Sequence, residues 1–98
     1  MKNILIIGGT KGIGKSIVDN LVDSNNIVCL SRNKPDFQHQ NFTHKEFDAL
    51  SDEYPDMENL DCLIYCPGSI NLKPISTLSL EDFRNDFEIN VMGAVKAI

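Results

Sequence analysis

The stretch that most constrains the fold is residues 3–22. Asn3-Ile4-Leu5-Ile6-Ile7 is a short apolar run, and the glycine cluster Gly8-Gly9-Thr10-Lys11-Gly12-Ile13-Gly14 follows it at once. Ile13, Ile17, Val18, Leu21 and Val22 then recur at helical spacing. The pattern predicts a buried strand, a tight turn and an amphipathic helix. The strand lacks polar alternation, as expected of a parallel strand covered on both faces. Gly8, Gly12 and Gly14 set the spacing Gly-x-x-x-Gly-x-Gly. In such a turn Gly8 allows the sharp bend, Gly12 lets a ligand approach the backbone, and Gly14 lets the helix pack closely on the strand. The helix N-terminus offers N–H groups and a positive dipole end to a phosphate. A glycine-rich turn that binds nothing would have the same spacing.

A second reading lies on the same residues. Gly9-Thr10-Lys11-Gly12-Ile13-Gly14-Lys15-Ser16 matches the P-loop pattern Gly-x-x-x-x-Gly-Lys-Ser. A P-loop hydrolase also needs an acidic residue after an apolar strand to hold magnesium. The apolar runs 27–30 and 62–65 end in Ser31 and Cys66, and Asp48 follows the polar His44-Lys45-Glu46. The P-loop is therefore the alternative rather than the primary reading.

Ninety-eight residues suffice for one small domain. Hydrophobic content of 42% and charged content of 23% are ordinary for a globular chain. A net charge of -5 with no basic tract argues against nucleic acid as a partner. No apolar run approaches a membrane span, and the N-terminus is too short in apolar residues for a signal peptide. A cytoplasmic chain without membrane contact is expected. Cys62 and Cys66 would share a strand face roughly 13 Å apart, too far for a disulfide, and Cys29 stands alone. His39 and His44 have no metal-ligand spacing to the cysteines, so no metal site is expected.

After a turn at residues 23–26, Ile27-Val28-Cys29-Leu30 reads as a second buried strand. This completes a strand–helix–strand unit of the length of a dinucleotide half-site. The residues after that strand normally meet the adenosine ribose, where an acidic side chain would bond the 2′-hydroxyl and repel a 2′-phosphate. This chain has Ser31-Arg32-Asn33-Lys34 there. Arg32 would pair with a phosphate, Ser31 would add a hydroxyl donor, and Lys11 would reach the same group. Charge-assisted bonds worth roughly 1.5–3 kcal/mol imply about a tenfold or greater preference for NADP over NAD. Solvated loop charges are the alternative for Arg32 and Lys11.

Residues 33–41 read as surface loop, and 42–47 as a third strand. Asp48 and Ala49 follow, and Asp48 at the strand end would accept a bond from the adenine amino group. Residues 51–59 are acidic and broken by Pro55, with room for a helical turn or two at most. Residues 60–65 form a fourth strand, and Cys66-Pro67-Gly68-Ser69 closes it. The expected architecture is α/β, a Rossmann-type doubly wound parallel sheet of order 3-2-1-4. That order puts the Cys66–Gly68 loop beside the glycine turn at the switch point, where ligands bind. Residues 70–77 read as an irregular linker. Ser79 is a good N-cap for a final helix, with Glu81 and Asp82 at its positive end. Leu80, Phe83, Phe87, Asn90, Ala94 and Ala97 form a stripe stepping by three and four, widened by Val91, Val95 and Ile98. Asn90 is the amide on that stripe, and alone it reads as a structural hydrogen-bond hub. The periodicity is still in phase at Ile98, so residues 1–98 read as the N-terminal part of a single NAD(P)-binding domain, cut within a helix.

Together these residues resemble the short-chain dehydrogenase/reductase family across essentially the whole chain. The resemblance rests on the glycine turn 8–14, Ser31-Arg32, Asp48, residues 61–68 and Asn90-Val91-Met92-Gly93. The glycine turn and Ser31-Arg32 look most like 3-oxoacyl-[acyl-carrier-protein] reductase-like members. There are three departures, one of them a segment between Asp48 and Asp61 that is short for the family. Ile7 stands where the family usually has Thr, and Tyr65-Cys66-Pro67-Gly68 replaces Asn-Asn-Ala-Gly. The resemblance implies an NADP-dependent oxidoreductase moving hydride between NADPH and a small carbonyl or alcohol substrate. It implies cofactor contacts at Gly8, Thr10, Lys11, Gly12, Ile13, Gly14, Ser31, Arg32, Asp48, Ala49, Cys66, Pro67 and Gly68. It makes Asn90 the anchor of the proton-resupplying water chain. The family's Ser and Tyr-x-x-x-Lys would lie beyond Ile98, and association through the helix near Ser79 implies a homodimer or homotetramer. A noncatalytic dinucleotide-binding relative is the remaining alternative.

Overall fold

The apolar run after Asn3 organises the packing. In the computed structural model, which describes residues 1–49, 51–68 and 75–98, it forms β1 (Asn3–Ile7). Ile4, Leu5, Ile6 and Ile7 are all at most 6% exposed, so β1 is covered on both faces as its sequence requires. The strands β2 (Asn26–Ser31), β3 (Phe42–Glu46) and β4 (Cys62–Tyr65) join it in one parallel sheet of order β3-β2-β1-β4. This is the expected doubly wound order.

The two faces are covered differently. On one, Ile4, Ile6, Ile27 and Cys29 pack against Val18 and Val22 of the helix α1 (Gly12–Leu21) and its cap. On the other, Leu5, Ile7 and Leu30 meet Phe47 and Ala49, with Tyr54, Met57 and Leu60 packed around them. No helix forms among the described residues between β3 and β4, so side chains of an irregular segment make that cover. The Phe47 and Tyr54 rings meet at a tilt of 52° within it, their centroids 4.7 Å apart. Each fully buried aliphatic side chain stabilises such a core by about 1.5–3 kcal/mol.

Strand limits differ slightly from expectation. β4 begins at Cys62 because Asn59 turns the chain with φ 56°, and Leu60 packs into the second cluster. β2 gains a residue at each end, since Asn26 N–H donates to Lys2 and Ser31 accepts from Phe47 N–H. The expected linker at 70–77 lies largely outside the described residues, and its end is a 3-10 turn (Ile75–Thr77). Among the described residues no helix is long and apolar enough to cross a membrane.

The final helix starts as expected. Ser79 accepts from Asp82 N–H at 3.1 Å and its own N–H donates to Asp82 at 3.0 Å, a reciprocal cap on α2 (Leu80–Phe87). Its later course corrects the sequence reading. A π turn (Glu88–Met92) separates α2 from α3 (Gly93–Ala97) and inserts one residue into the helical phase. The apolar stripe therefore runs Leu80, Phe83, Phe87, Val91, Val95, Ile98, each at least 42% exposed. Asn90, expected on the stripe as a buried amide, is off it and exposed. Gly93, not the stripe, is the buried residue against the sheet.

Candidate functional site

Parallel strands end together, and here their ladders continue one step past each end. Gly8 N–H donates to Leu30 at 2.9 Å, Phe47 N–H to Ser31 at 3.0 Å, and Cys66 N–H to Ile7 at 2.9 Å. These bonds draw the loops after all four strands to one edge. The result is a cleft of about 250 Å³, lined by Gly8, Thr10, Lys11, Ser31, Arg32, Asn33, Asp48, Ala49, Cys66, Pro67 and Gly68, with Ile7, Leu30, Phe47 and Ile89 as its apolar floor and wall. It lies at the switch point, where β1 is flanked by β2 and β4.

The glycine turn is built by close approach. Gly8 adopts φ 82° and Gly12 φ 55°, both in the left-handed region. A Cβ on Gly14 would stand 1.9 Å from the Gly8 carbonyl oxygen, so only glycine lets α1 seat on the turn. This differs in detail from the expected contact with the strand: the partner of Gly14 is the turn itself. A Cβ at Gly12 would meet nothing within 4 Å, which leaves open space above that backbone. No side chain caps α1 and its first turn holds no acidic residue, so nothing there competes with an anion. The turn thus suits a phosphate group. Ile13 is 79% exposed. Gly12, Ile13 and Gly14 do not line the cleft; Gly14 shapes it from behind.

Lys15 is not placed as a P-loop lysine would be. A P-loop lysine reaches its nucleotide phosphates. Lys15 instead pairs with Asp19 at 3.2 Å and lies over the Phe37 ring at 5.5 Å, and neither it nor Ser16 lines the cleft.

On the β2 side, Arg32 is exposed and lines the cleft, and Ser31 is 8% exposed. The Ser31 hydroxyl donates to the Asn33 carbonyl at 2.8 Å and lies 2.8 Å from His44 Nε2. Its one hydrogen is thereby spent within the loop instead of being offered to the cleft. Asp48 stands at the cleft in a tight turn, with its N–H donating to Asp52 at 2.7 Å.

On the β4 side, Cys66 and Pro67 are half-buried and Gly68 is exposed. Burial pushes the Cys66 thiol up from its ordinary 9.0, which keeps it protonated at neutral pH. Tyr65 ties the end of β4 to the last helical segment. Its hydroxyl donates to the Ile89 carbonyl at 2.6 Å, inside the π turn, and a Cβ on Gly93 would collide with that hydroxyl. Burial raises Tyr65 above its ordinary 10.0, so it remains a donor. Asn90 Oδ1 lies 3.1 Å from where a Cβ on Gly68 would be. Asn90 therefore faces the Cys66–Gly68 loop without lining the cleft itself.

Ten of the residues expected at a site thus share one cleft: Gly8, Thr10, Lys11, Ser31, Arg32, Asp48, Ala49, Cys66, Pro67 and Gly68. Sequence reasoning missed Ile7, Leu30, Asn33, Phe47 and Ile89 in the lining, and missed the Tyr65 and His44 bonds. The three cysteines are free, and no cluster of metal-ligating side chains occurs among the described residues.

No family model matches the chain, and no curated protein matches it in sequence. Solved structures do match. A short chain dehydrogenase from Leptospira borgpetersenii with bound NAD+ superposes with TM-score 0.83 at 22% identity, over 96% of this chain and 42% of its own. Serine dehydrogenase from Escherichia coli gives 0.81 at 19% identity, over 97% of this chain and 52% of its own. ElxO with NADP bound gives 0.79 at 22% identity, over 98% of this chain and 47% of its own. The chain spans about half the length of these structures or less. It has the Rossmann-type α/β fold that these structures share.

Proposed function

We propose that this chain is the cofactor-binding part of an oxidoreductase of the short-chain dehydrogenase/reductase type, dependent on NADP and acting on a small carbonyl or alcohol. The observation that carries the reading is the meeting of the glycine turn, Arg32, Asp48 and the Cys66–Gly68 loop in one cleft at the switch point. Solved structures of the same fold include a short chain dehydrogenase with NAD+ bound and ElxO with NADP bound. When bound, the nicotinamide group supplies or accepts hydride. The glycine turn and the α1 N-terminus hold the pyrophosphate. Asp48 meets the adenine amino group, and Ala49, Cys66, Pro67 and Gly68 wall the adenosine and nicotinamide sides. Asn90, beside Gly68, holds a water in the path that returns a proton to the reacting oxygen. The Ser and the Tyr-x-x-x-Lys pair of that chemistry have no counterpart in residues 1–98.

The preference for NADP rests on Arg32. Ser31-Arg32-Asn33-Lys34 follows β2 without an acidic residue, and Arg32 lines the cleft with Lys11 across from it in the glycine turn. At an exposed position its pairing with a 2′-phosphate falls at the lower end of the charge-assisted range, about 1.5 kcal/mol or about tenfold. The exposed stripe on α2 and α3 is the face through which copies associate as a homodimer or homotetramer, in the cytoplasm. A fluorescence titration of the intact protein with NADPH and with NADH tests the central reading. NADPH should bind about tenfold tighter. Equal affinity would remove the NADP preference, and no binding of either would remove the dinucleotide reading.

A further inference from the structure

β2 and β3 run side by side with Cys29 opposite His44 and Ser31 opposite Glu46. His44 and Ser31 therefore point to the same face of the sheet, two residue steps apart along the strands. The Ser31 hydroxyl has one hydrogen and two lone pairs. The Asn33 carbonyl can only accept, so the 2.8 Å bond to it consumes that hydrogen. His44 Nε2 stands 2.8 Å from the same oxygen. With that hydrogen on Asn33, the second bond takes its hydrogen from the imidazole, in the tautomer with the proton on Nε2. The two bonds form a directed relay from His44 through Ser31 to Asn33. It starts on β3 and ends in the loop after β2. Arg32 lies between the two residues of that loop which the relay holds. Ser31 is 8% exposed, so water competes little for either bond.

The geometry points to His44 as a positioning residue that sets cofactor specificity. We propose that it fixes the Ser31–Asn33 loop, and through the loop the approach of Arg32 to a ribose 2′-phosphate. His44 does not itself line the cleft, whereas Ser31, Arg32 and Asn33 do. The bond from Ser31 draws the Asn33 carbonyl toward the buried end of β2, which keeps an acceptor from turning toward the phosphate. Ser31 then serves the loop instead of donating to the cofactor. This inference rests on the NADP reading above.

The test is isothermal titration of the intact protein with adenosine 2′,5′-bisphosphate and with 5′-AMP, which differ only in the 2′-phosphate. Wild type should prefer the bisphosphate about tenfold. His44→Phe keeps a ring but loses the donor, and should reduce that preference about threefold or more while leaving 5′-AMP affinity unchanged. His44→Gln places an amide donor near the position of Nε2 and should restore the preference. A structural defect alone would weaken both ligands together and would not be rescued in the ratio. A wild type without preference overturns the NADP reading and this inference with it. A wild type with preference that His44→Phe leaves intact overturns this inference alone, as does failure of His44→Gln to restore it. If His44→Phe does not fold, nitrogen-15 spectra of wild-type His44 decide: protonated Nε2 is expected, and a neutral ring with its proton on Nδ1 overturns the relay.

Discussion

Gly14→Ala sets two effects against each other. Alanine is favoured over glycine within a helix by about 0.8–1.0 kcal/mol, so on propensity alone the variant gains stability. The new Cβ, however, would stand 1.9 Å from the Gly8 carbonyl oxygen, 2.9 Å from its carbon and 3.1 Å from Gly9 Cα. Real Cβ atoms essentially never come within 3.0 Å of such an atom, so turn and helix must part by about 1.1 Å. All three contacted atoms are backbone, and no rotamer change relieves them. Overpacking costs typically about 1–3 kcal/mol, and a backbone contact belongs in the upper part of that range. The net expectation is a loss of about 1–2 kcal/mol after the propensity gain. The same displacement moves the phosphate-facing turn, so NADPH affinity should fall about tenfold or more. Gly12→Asn is the contrast: φ is 55° but no atom lies within 4 Å of its Cβ, and asparagine tolerates that conformation. Urea denaturation of the intact protein reads both. A Gly14→Ala protein as stable as wild type, or more so, would refute the close packing of α1 on the turn.

Arg32→Glu places an acidic side chain after β2 and should turn the preference from NADPH to NADH, read from the two dissociation constants. Tyr65→Phe removes the bond to Ile89 but keeps the ring, and should cost about 1 kcal/mol and speed hydrogen exchange in the π turn. Phe87→Asp interrupts the exposed stripe, where Phe87 is 54% accessible, and should shift the protein to monomer in light scattering without unfolding it. Burial raises Cys29 and Cys66 above 9.0, so their thiols stabilise the fold below pH 9 and that contribution is lost as pH rises through the folded values. Alkylation of Cys66 should therefore reach its half-maximal rate above pH 9.0.

Much of this was legible in the residues because several levels agreed. The unbroken Ile4–Ile7 run, the glycine spacing and the period of α1 each demanded the same strand–turn–helix unit. The sheet order followed from parallel strands with short connections. What stayed hidden involves partners far apart in sequence or a change of period. The π turn shifts the helical phase by one residue, so of the neighbours Asn90 and Val91 that the sequence put on the stripe, Asn90 leaves it and Val91 stays. Tyr65 looked like a departure because nothing in its neighbourhood announces Ile89 or Gly93, over twenty residues on. Ser31 read as a phosphate donor because hydroxyl chemistry permits it. Its hydrogen is instead spent on the Asn33 carbonyl, with His44 of the adjoining strand against the same oxygen.

Amide chemical-shift mapping of the intact protein with NADP+ tests the account most directly. The account predicts shifts concentrated at residues 8–14, 31–33, 48–49 and 66–68, with His44 shifted through Ser31 and the α2 stripe unmoved. Shifts confined to the α2 stripe or scattered over the surface would contradict a dinucleotide site at the ends of β1, β2 and β4.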